Sequence, residues 1–383
     1  MLRLDYIVGV SLALILLVWL MRRRTPATSP ETVSQASNTS GDRFLHMLAF
    51  SGPGVQKLAI RLENLFFGKA TERATPNRPP VFVTSLARGG TTAVLNALND
   101  LPEAVTLTYR DMPFVTAPLL WGRLSAPLSR KVKTQKRAHG DGLSIDLDSP
   151  EAFDEVYWKL FWPEKYLTDR IALWHAADLK TGACDFFRAL FRRLSLLRGM
   201  ETARYLSKNN ANIARLDLLP EMFDGCDIVV PLRQPAAHAA SLLRQHENFS
   251  QRQQEDAFTK RYMRDIGHLE FGLLHTPLAF DGFDPAARDP RTPDYWLAYW
   301  IAAFREVQRH RDRCHILAQD DLRSAPVDTM QALCRILKME TAGLDFASYF
   351  RSEPDTTDPT VFDPTLLEEA EKLYADLAKA AIR

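Results

Sequence analysis

Apolar positions along this chain follow two rhythms. Short β-branched runs alternate with longer stretches in which apolar residues recur every three or four positions. Val81–Leu86, Ile228–Leu232 and His315–Ala318 read as buried strands, and Ala104–Thr108 as a further short one. Pro231 is awkward for a strand paired on both sides. Helical spacing predicts one or two helices over Arg43–Gly68, then helices over Thr91–Asn99, Asp185–Arg198, Pro235–Gln245, residues 293–313, a stretch ending at Leu337, and Leu366–Ile382. Ser149-Pro150-Glu151 reads as a helix start, with serine as N-cap and proline in the first turn. Phe153, Val156, Tyr157, Leu160 and Phe161 would form its apolar side. Tyr295, Trp296, Tyr299 and Trp300 form a stripe that reads as core rather than as a sugar-stacking platform. Strands separated by helices at long intervals imply an α/β fold, a central parallel sheet flanked by helices.

Two stretches stand outside that pattern. Ile7–Met21 is uncharged and almost wholly apolar, and Arg22-Arg23-Arg24 follows it. With Leu2, Leu4 and Tyr6 it reaches about 17 residues, the lower limit for a membrane-spanning helix. A cleavable signal peptide is disfavoured, because three arginines occupy the place of a small-residue cleavage site. Residues 1–24 are therefore expected to be a single-pass membrane anchor. The arginine triplet favours a cytoplasmic catalytic part; in a cell with a Golgi the lumenal orientation is the usual alternative. Thr25–Asp42 is rich in Ser, Thr and Pro and reads as a flexible linker. Residues 43–383 are expected to form one domain, with a loop-rich stretch over 113–142 that carries a basic cluster (Arg130, Lys131, Lys133, Lys136, Arg137).

Charge and cysteine content narrow the classes. Lys+Arg number 48 against 47 Asp+Glu, which argues against a general nucleic-acid binder. The four cysteines are far apart and make no CxxC pair, so a zinc or redox motif is not indicated.

The chemistry concentrates in two strand–helix junctions. Val81–Leu86 is followed by Ala87-Arg88-Gly89-Gly90-Thr91-Thr92 and an apolar helix. Such a turn aims backbone N–H groups and a helix N-terminus at one spot, a nest for an oxyanion. Against the Walker A pattern, Thr91 replaces the lysine and Ser85 the first glycine. A ligand with a shorter phosphate tail and no obligatory Mg²⁺ fits better than ATP or GTP. At the second junction Ile228–Leu232 runs into Arg233, then a helix bearing Ser241. An arginine fork and a hydroxyl can converge there on a second phosphate.

VFVTSLARGGTT resembles the 5′-phosphosulfate loop of the sulfotransferases that use 3′-phosphoadenosine 5′-phosphosulfate (PAPS). VVPLRQPAAHAASLL resembles their 3′-phosphate motif, with Ser241 eight residues after Arg233. Leu206-Ser207-Lys208-Asn209-Asn210 resembles the lysine segment of the carbohydrate sulfotransferase branch. The resemblance spans roughly Pro79–Leu337. It departs from the common pattern at Ala87 (proline), Gly89 (serine) and Gln234 (Asp or Asn). It implies a P-loop NTPase-like fold, PAPS as co-substrate, no metal, and sulfuryl transfer to a hydroxyl or amine of a glycan, lipid or small molecule. Arg88, Gly89, Gly90, Thr91 and Thr92 would bind the 5′ end, Arg233 and Ser241 the 3′-phosphate, with Lys208 near the transferred group. Two candidates for the general base stay open, Asp111 and His139. A small-molecule kinase of P-loop type and a non-catalytic nucleotide-binding protein at a membrane are the competing functions.

Overall fold

The computed structural model describes residues 40–126, 135–136, 144–145, 149–151, 153–341, 343–350 and 356–383. The expected anchor and most of the expected linker lie outside these residues. The linker's end does not: Ser40–Ala49 is already helical, and Pro53–Arg73 forms a second helix. Among the described residues no helix is long and apolar enough to cross a membrane.

Among the described residues there are seven strands: β1 (Arg78–Val83), β2 (Ala104–Val105), β3 (Gln135–Lys136), β4 (Ser144–Ile145), β5 (Arg204–Lys208), β6 (Asp227–Leu232) and β7 (Cys314–Ala318). Five form one parallel sheet in the order β2-β5-β1-β6-β7, while β3 and β4 pair antiparallel. The period-2 alternation of the strands divides the core. Val81, Val83, Leu206, Val229 and Leu317 face the helices Thr91–Asn99 and Pro326–Leu337. Phe82, Tyr205, Ile228, Val230 and Ile316 face the helices Thr181–Arg198, Pro235–Glu255 and Pro293–Arg309. Each fully buried large side chain contributes roughly 1.5–3 kcal/mol, so this core can carry several buried charged groups at the sheet's end.

Three of the departures from the sequence expectation bear on the site. First, β1 stops at Val83, and the apolar Leu86 belongs to the loop beyond it. Second, no helix starts at Ser149: Pro150 bridges to Thr108, and the helix begins at Glu155. Third, β5 forms where the apolar pattern predicts no strand. Its five residues include Arg204, Ser207 and Lys208, so only Tyr205 and Leu206 give an apolar signal, yet all five are buried.

Pro231 sits in an inner strand without losing a ladder bond. Thr84 N–H donates to Val229 O, so residues 229 and 231 turn their backbone toward β1. By residue 231 β1 has already turned away, and the missing N–H of proline has no strand to meet.

Candidate functional site

Because β1 lies between β5 and β6, the loop after Val83 sits between the ends of both neighbours. Lys208, the last residue of β5, is the register partner of Val83. Arg233 follows the end of β6 directly. Loop residues 84–90 turn sharply, with Arg88 at φ +68° and Gly90 at φ +97°. A non-glycine residue in the left-handed region costs about 1–3 kcal/mol and persists only when its surroundings hold it. Here Arg233 Nη1 donates to Arg88 O at 3.0 Å, and Arg88 Nε donates to Ser241 Oγ at 3.3 Å. The two junctions therefore meet, and one helix, Pro235–Glu255, supplies Ser241.

A second layer supports the loop from below. Trp300 Nε1 donates to His238 Nδ1 at 3.2 Å, and His238 Nε2 lies 2.8 Å from Ala87 O. An indole N–H can only donate, so Nδ1 is the acceptor and Nε2 carries the hydrogen given to Ala87. The aromatic stripe is core, and part of its work is to orient this histidine. Gly89 fits against the same group: a Cβ there would lie 2.7 Å from Ser85 Oγ and 3.0 Å from both His238 Cε1 and Leu86 O. That packing accounts for glycine where serine is common.

Thr91 and Thr92 open the following helix, whose first-turn N–H groups have no acceptor within the helix. They line a cleft together with Arg88, Lys208, Asn210, Glu151, Phe249, His268 and Glu270. Lys208 is buried, and its Nζ lies 3.4 Å from Glu151 Oε1. Glu151 is buried as well, and Tyr109 OH donates to its other oxygen at 2.9 Å. Thr91 Oγ1 donates to Asn210 Oδ1 at 3.2 Å, and Asn210 Nδ2 donates to Glu270 Oε1 at 3.2 Å.

Arg88, Thr91, Thr92 and Lys208 thus share one cleft, with Arg233 and Ser241 bonded to Arg88 at its corner. Asp111 is placed elsewhere. It is buried, its carboxylate accepts from Thr108 N at 2.8 Å and from Arg198 Nη2 at 2.7 Å, and it caps the short turn Tyr109–Asp111. Burial pushes its carboxyl up, against the lowering effect of the Arg198 charge and the Thr108 hydrogen bonds. It does not line the cleft, so the geometry corrects its reading as a base in favour of a cap. His139 and the basic cluster lie outside the described residues, apart from the backbone of Lys136 in β3. Sequence reasoning missed Glu151, His238 and Glu270. Glu151 was visible only as a first-turn acid of a helix that does not form there.

A parallel sheet whose middle strand ends in a glycine-containing turn at a helix N-terminus defines an α/β protein of P-loop-like architecture. Arginines stand at two corners of this turn and a lysine at a third. The sulfotransferase family model matches residues 79–273, just over half of the chain, and the chain belongs to the sulfotransferase family. The fold is similar to that in the crystal structure of sulfotransferase STF9 from Mycobacterium avium, with a TM-score of 0.52, 13% identity and 95% of each chain covered. Sulfotransferase STF1 from Mycobacterium tuberculosis H37Rv aligns over 86% of this chain and 84% of its own at 13% identity, with a TM-score of 0.48. No curated protein matches the chain.

Proposed function

We propose that the protein transfers a sulfuryl group from PAPS to a hydroxyl or amine of a glycan, lipid or small molecule. The observation that carries this reading is the Lys208–Glu151 pair lining one cleft with Arg88, Thr91 and Thr92, while Arg233 and Ser241 close on Arg88. The donor set fits a ligand anionic at both ends. Two guanidinium groups, one ammonium, three hydroxyls and a helix N-terminus converge where a Walker lysine is absent.

Each residue then has a distinct task. Arg233 and Ser241 hold the 3′-phosphate and fix orientation. Arg88, Thr91, Thr92 and the first-turn N–H groups hold the 5′-phosphosulfate. Lys208 neutralises charge growing on the 5′-phosphate oxygen as its bond to sulfur breaks. Glu151 takes the acceptor's proton as the acceptor oxygen or nitrogen bonds to sulfur. This role replaces the one expected of Asp111. Tyr109 holds one Glu151 oxygen, leaving Oε1 beside Lys208 and the cleft. The apolar run Ile7–Met21 supports attachment to a membrane through the N-terminus, with the catalytic part on the cytoplasmic side.

The test uses the full chain in detergent. Calorimetric titration with adenosine 3′,5′-bisphosphate (PAP) reads donor-site binding. Transfer of label from [³⁵S]PAPS is then followed into lipid, glycan and small-molecule fractions of the source cells. Saturable PAP binding without Mg²⁺, with label entering one fraction, is the expected result. Absence of PAP binding, or binding of ATP only with Mg²⁺, would overturn it in favour of a kinase.

A further inference from the structure

Three and four residues after Glu151 the chain carries two more acids, and neither lines the cleft proposed for the donor. Asp154 and Glu155 are both buried and both bind the last turn of β5 or its continuation. Asp154 Oδ1 accepts from Tyr205 OH at 2.6 Å, and its Oδ2 accepts from Ser207 Oγ. Glu155 Oε2 accepts from Asn209 Nδ2 at 2.6 Å. Residues 205, 207 and 209 alternate along one side of the extended chain, and Lys208 projects from the other. Glu151 at Lys208, and Asp154 and Glu155 behind it, are thus fastened to 205–209 on both sides of the strand.

The fastening is itself anchored. Arg215 binds Glu155 through Nη1 and Nη2 at 3.0 and 2.8 Å, with its guanidinium 4.2 and 4.1 Å from the Trp158 and Trp174 ring centroids. Asn212 Nδ2 donates to Ser207 Oγ at 3.2 Å, and Asn209 N–H donates to Val83 O at 3.2 Å, which ties the assembly to β1. Burying acids this deep is a poor way to gain stability, because apolar groups of similar size would do as well or better. What it supplies is one fixed register between two segments.

We infer that Asp154 and Glu155 are positioning residues whose function is to hold Glu151 against Lys208 in the geometry required for sulfuryl transfer. The inference rests on the reading of Lys208 and Glu151 given above. Asp154 touches neither donor nor acceptor and acts only through those two groups. A displacement of about 1 Å at a reacting group can cost on the order of 100-fold in rate, which is the effect expected here.

The experiment compares wild type, Asp154→Asn, Ser207→Ala, Ser207→Thr and Tyr205→Phe in the full chain. Each is measured for PAPS turnover as PAP release with the acceptor fraction that takes up label, for PAP affinity by calorimetry, and for thermal midpoint. Asp154→Asn is expected to lower kcat roughly 100-fold while leaving PAP affinity unchanged. Ser207→Ala is expected to follow in the same direction, and Ser207→Thr, which keeps the hydroxyl, to restore the rate. In a Glu151→Gln background, Asp154→Asn is expected to cost nothing further, because a positioning residue has nothing left to position. Unchanged kcat in Asp154→Asn, a parallel loss of PAP affinity, or multiplicative losses in the double variant each overturn the inference. If Asp154→Asn does not fold, Ser207→Ala and Tyr205→Phe decide by the same criteria. A wild type that binds no PAP and consumes no PAPS overturns the donor reading itself, and the positioning role with it.

Discussion

Placing serine at Gly89 would bring this loop closer to the pattern common in the family, and the structure predicts that it harms the site. A Cβ at residue 89 meets Ser85 Oγ at 2.7 Å, His238 Cε1 at 3.0 Å and Leu86 O at 3.0 Å. Only the first of these can yield cheaply. Ser85 is fully buried and its Oγ has no hydrogen-bond partner, so a rotation sacrifices nothing. His238 is held through both ring nitrogens, and Leu86 O accepts from Gly89 N at 3.2 Å. Relief must come from movement of the loop, and overpacking of this kind typically costs about 1–3 kcal/mol. If that cost falls on the donor-binding conformation, PAP affinity drops roughly 5- to 150-fold, at about 1.4 kcal/mol per tenfold. Gly89→Ala carries the same Cβ and is expected to behave alike. Adding Ser85→Gly removes the closest contact and leaves the two at 3.0 Å, so it is expected to recover part of the loss. Calorimetric titration with PAP, beside thermal unfolding of each variant, measures both effects. A Gly89→Ser protein that binds PAP as tightly as wild type would show that His238 does not constrain the loop, and the packing argument would fall.

Arg88→Ala is expected to abolish transfer of label from PAPS, whereas Arg233→Ala mainly weakens PAP binding; radiometric assay and calorimetry separate the two. Glu151→Gln is expected to retain PAP binding and lose at least 100-fold in kcat, a typical general-base contribution, read as PAP release at saturating PAPS. Its thermal midpoint is also expected to fall, because Glu151 is the carboxylate that pairs with buried Lys208 and stranding a buried charge is costly. Stability against pH tests two buried groups at once. Burial pushes the Asp154 carboxyl up from 3.8 to about 6, so between those values the native state keeps a proton that the unfolded chain has released, and stability falls as pH rises. Burial, aided by His246, pushes His275 down from 6.5 to about 4, so there the unfolded chain binds the extra proton and stability falls as pH drops. The two slopes oppose each other in wild type. Asp154→Asn removes the first, so urea midpoints of that variant are expected to fall more steeply than those of wild type from pH 6.5 to 4.5.

The sheet was legible where strands are apolar throughout. Val81–Val83, Ile228–Leu232 and Ile316–Ala318 bury both faces, and such runs are read from composition alone. β5 escaped because its ends are charged: Arg204 and Lys208 are buried only because Asp227 and Glu151 meet them there, and neither partner is near in sequence. The loops proposed to hold the donor are legible for a related reason. A strand, a tight turn and a helix N-terminus are local, so Arg88–Thr92 and Arg233–Ser241 carry their spacing in the sequence. The Lys208–Glu151 pair, proposed to serve the acceptor, joins segments more than 50 residues apart. Ser149-Pro150-Glu151 obeyed the rules for a helix start, yet Pro150 bridges to Thr108, and that tertiary contact delays the helix to Glu155. Asp111 looked like a base because it follows a strand end, and it is a buried cap because Arg198, from a distant helix, reaches it.

The strand order explains how the two corners proposed to bind anions come to meet. In a parallel sheet each strand end carries its own loop, and two loops serve one ligand only if their strands are neighbours. β1 has β5 on one side and β6 on the other, so a single central loop is flanked by a lysine and an arginine that its own sequence does not supply. The central loop holds its left-handed Arg88 with bonds from the β6 side, since Arg233 donates to its carbonyl and Ser241 accepts from its guanidinium. The β5 side has further fastenings of its own, through Glu151 and the acids behind it. Loss of Arg233 should therefore loosen the conformation of Arg88 as well as remove a phosphate contact, while leaving the Lys208–Glu151 pair intact. Arg233→Lys keeps a positive charge but not the fork. It is expected to bind PAP more weakly than wild type and to bring faster hydrogen exchange at residues 87–90 but not at 205–209. Equal exchange in both segments would show that the corners are one cooperative unit and would refute this division of the site.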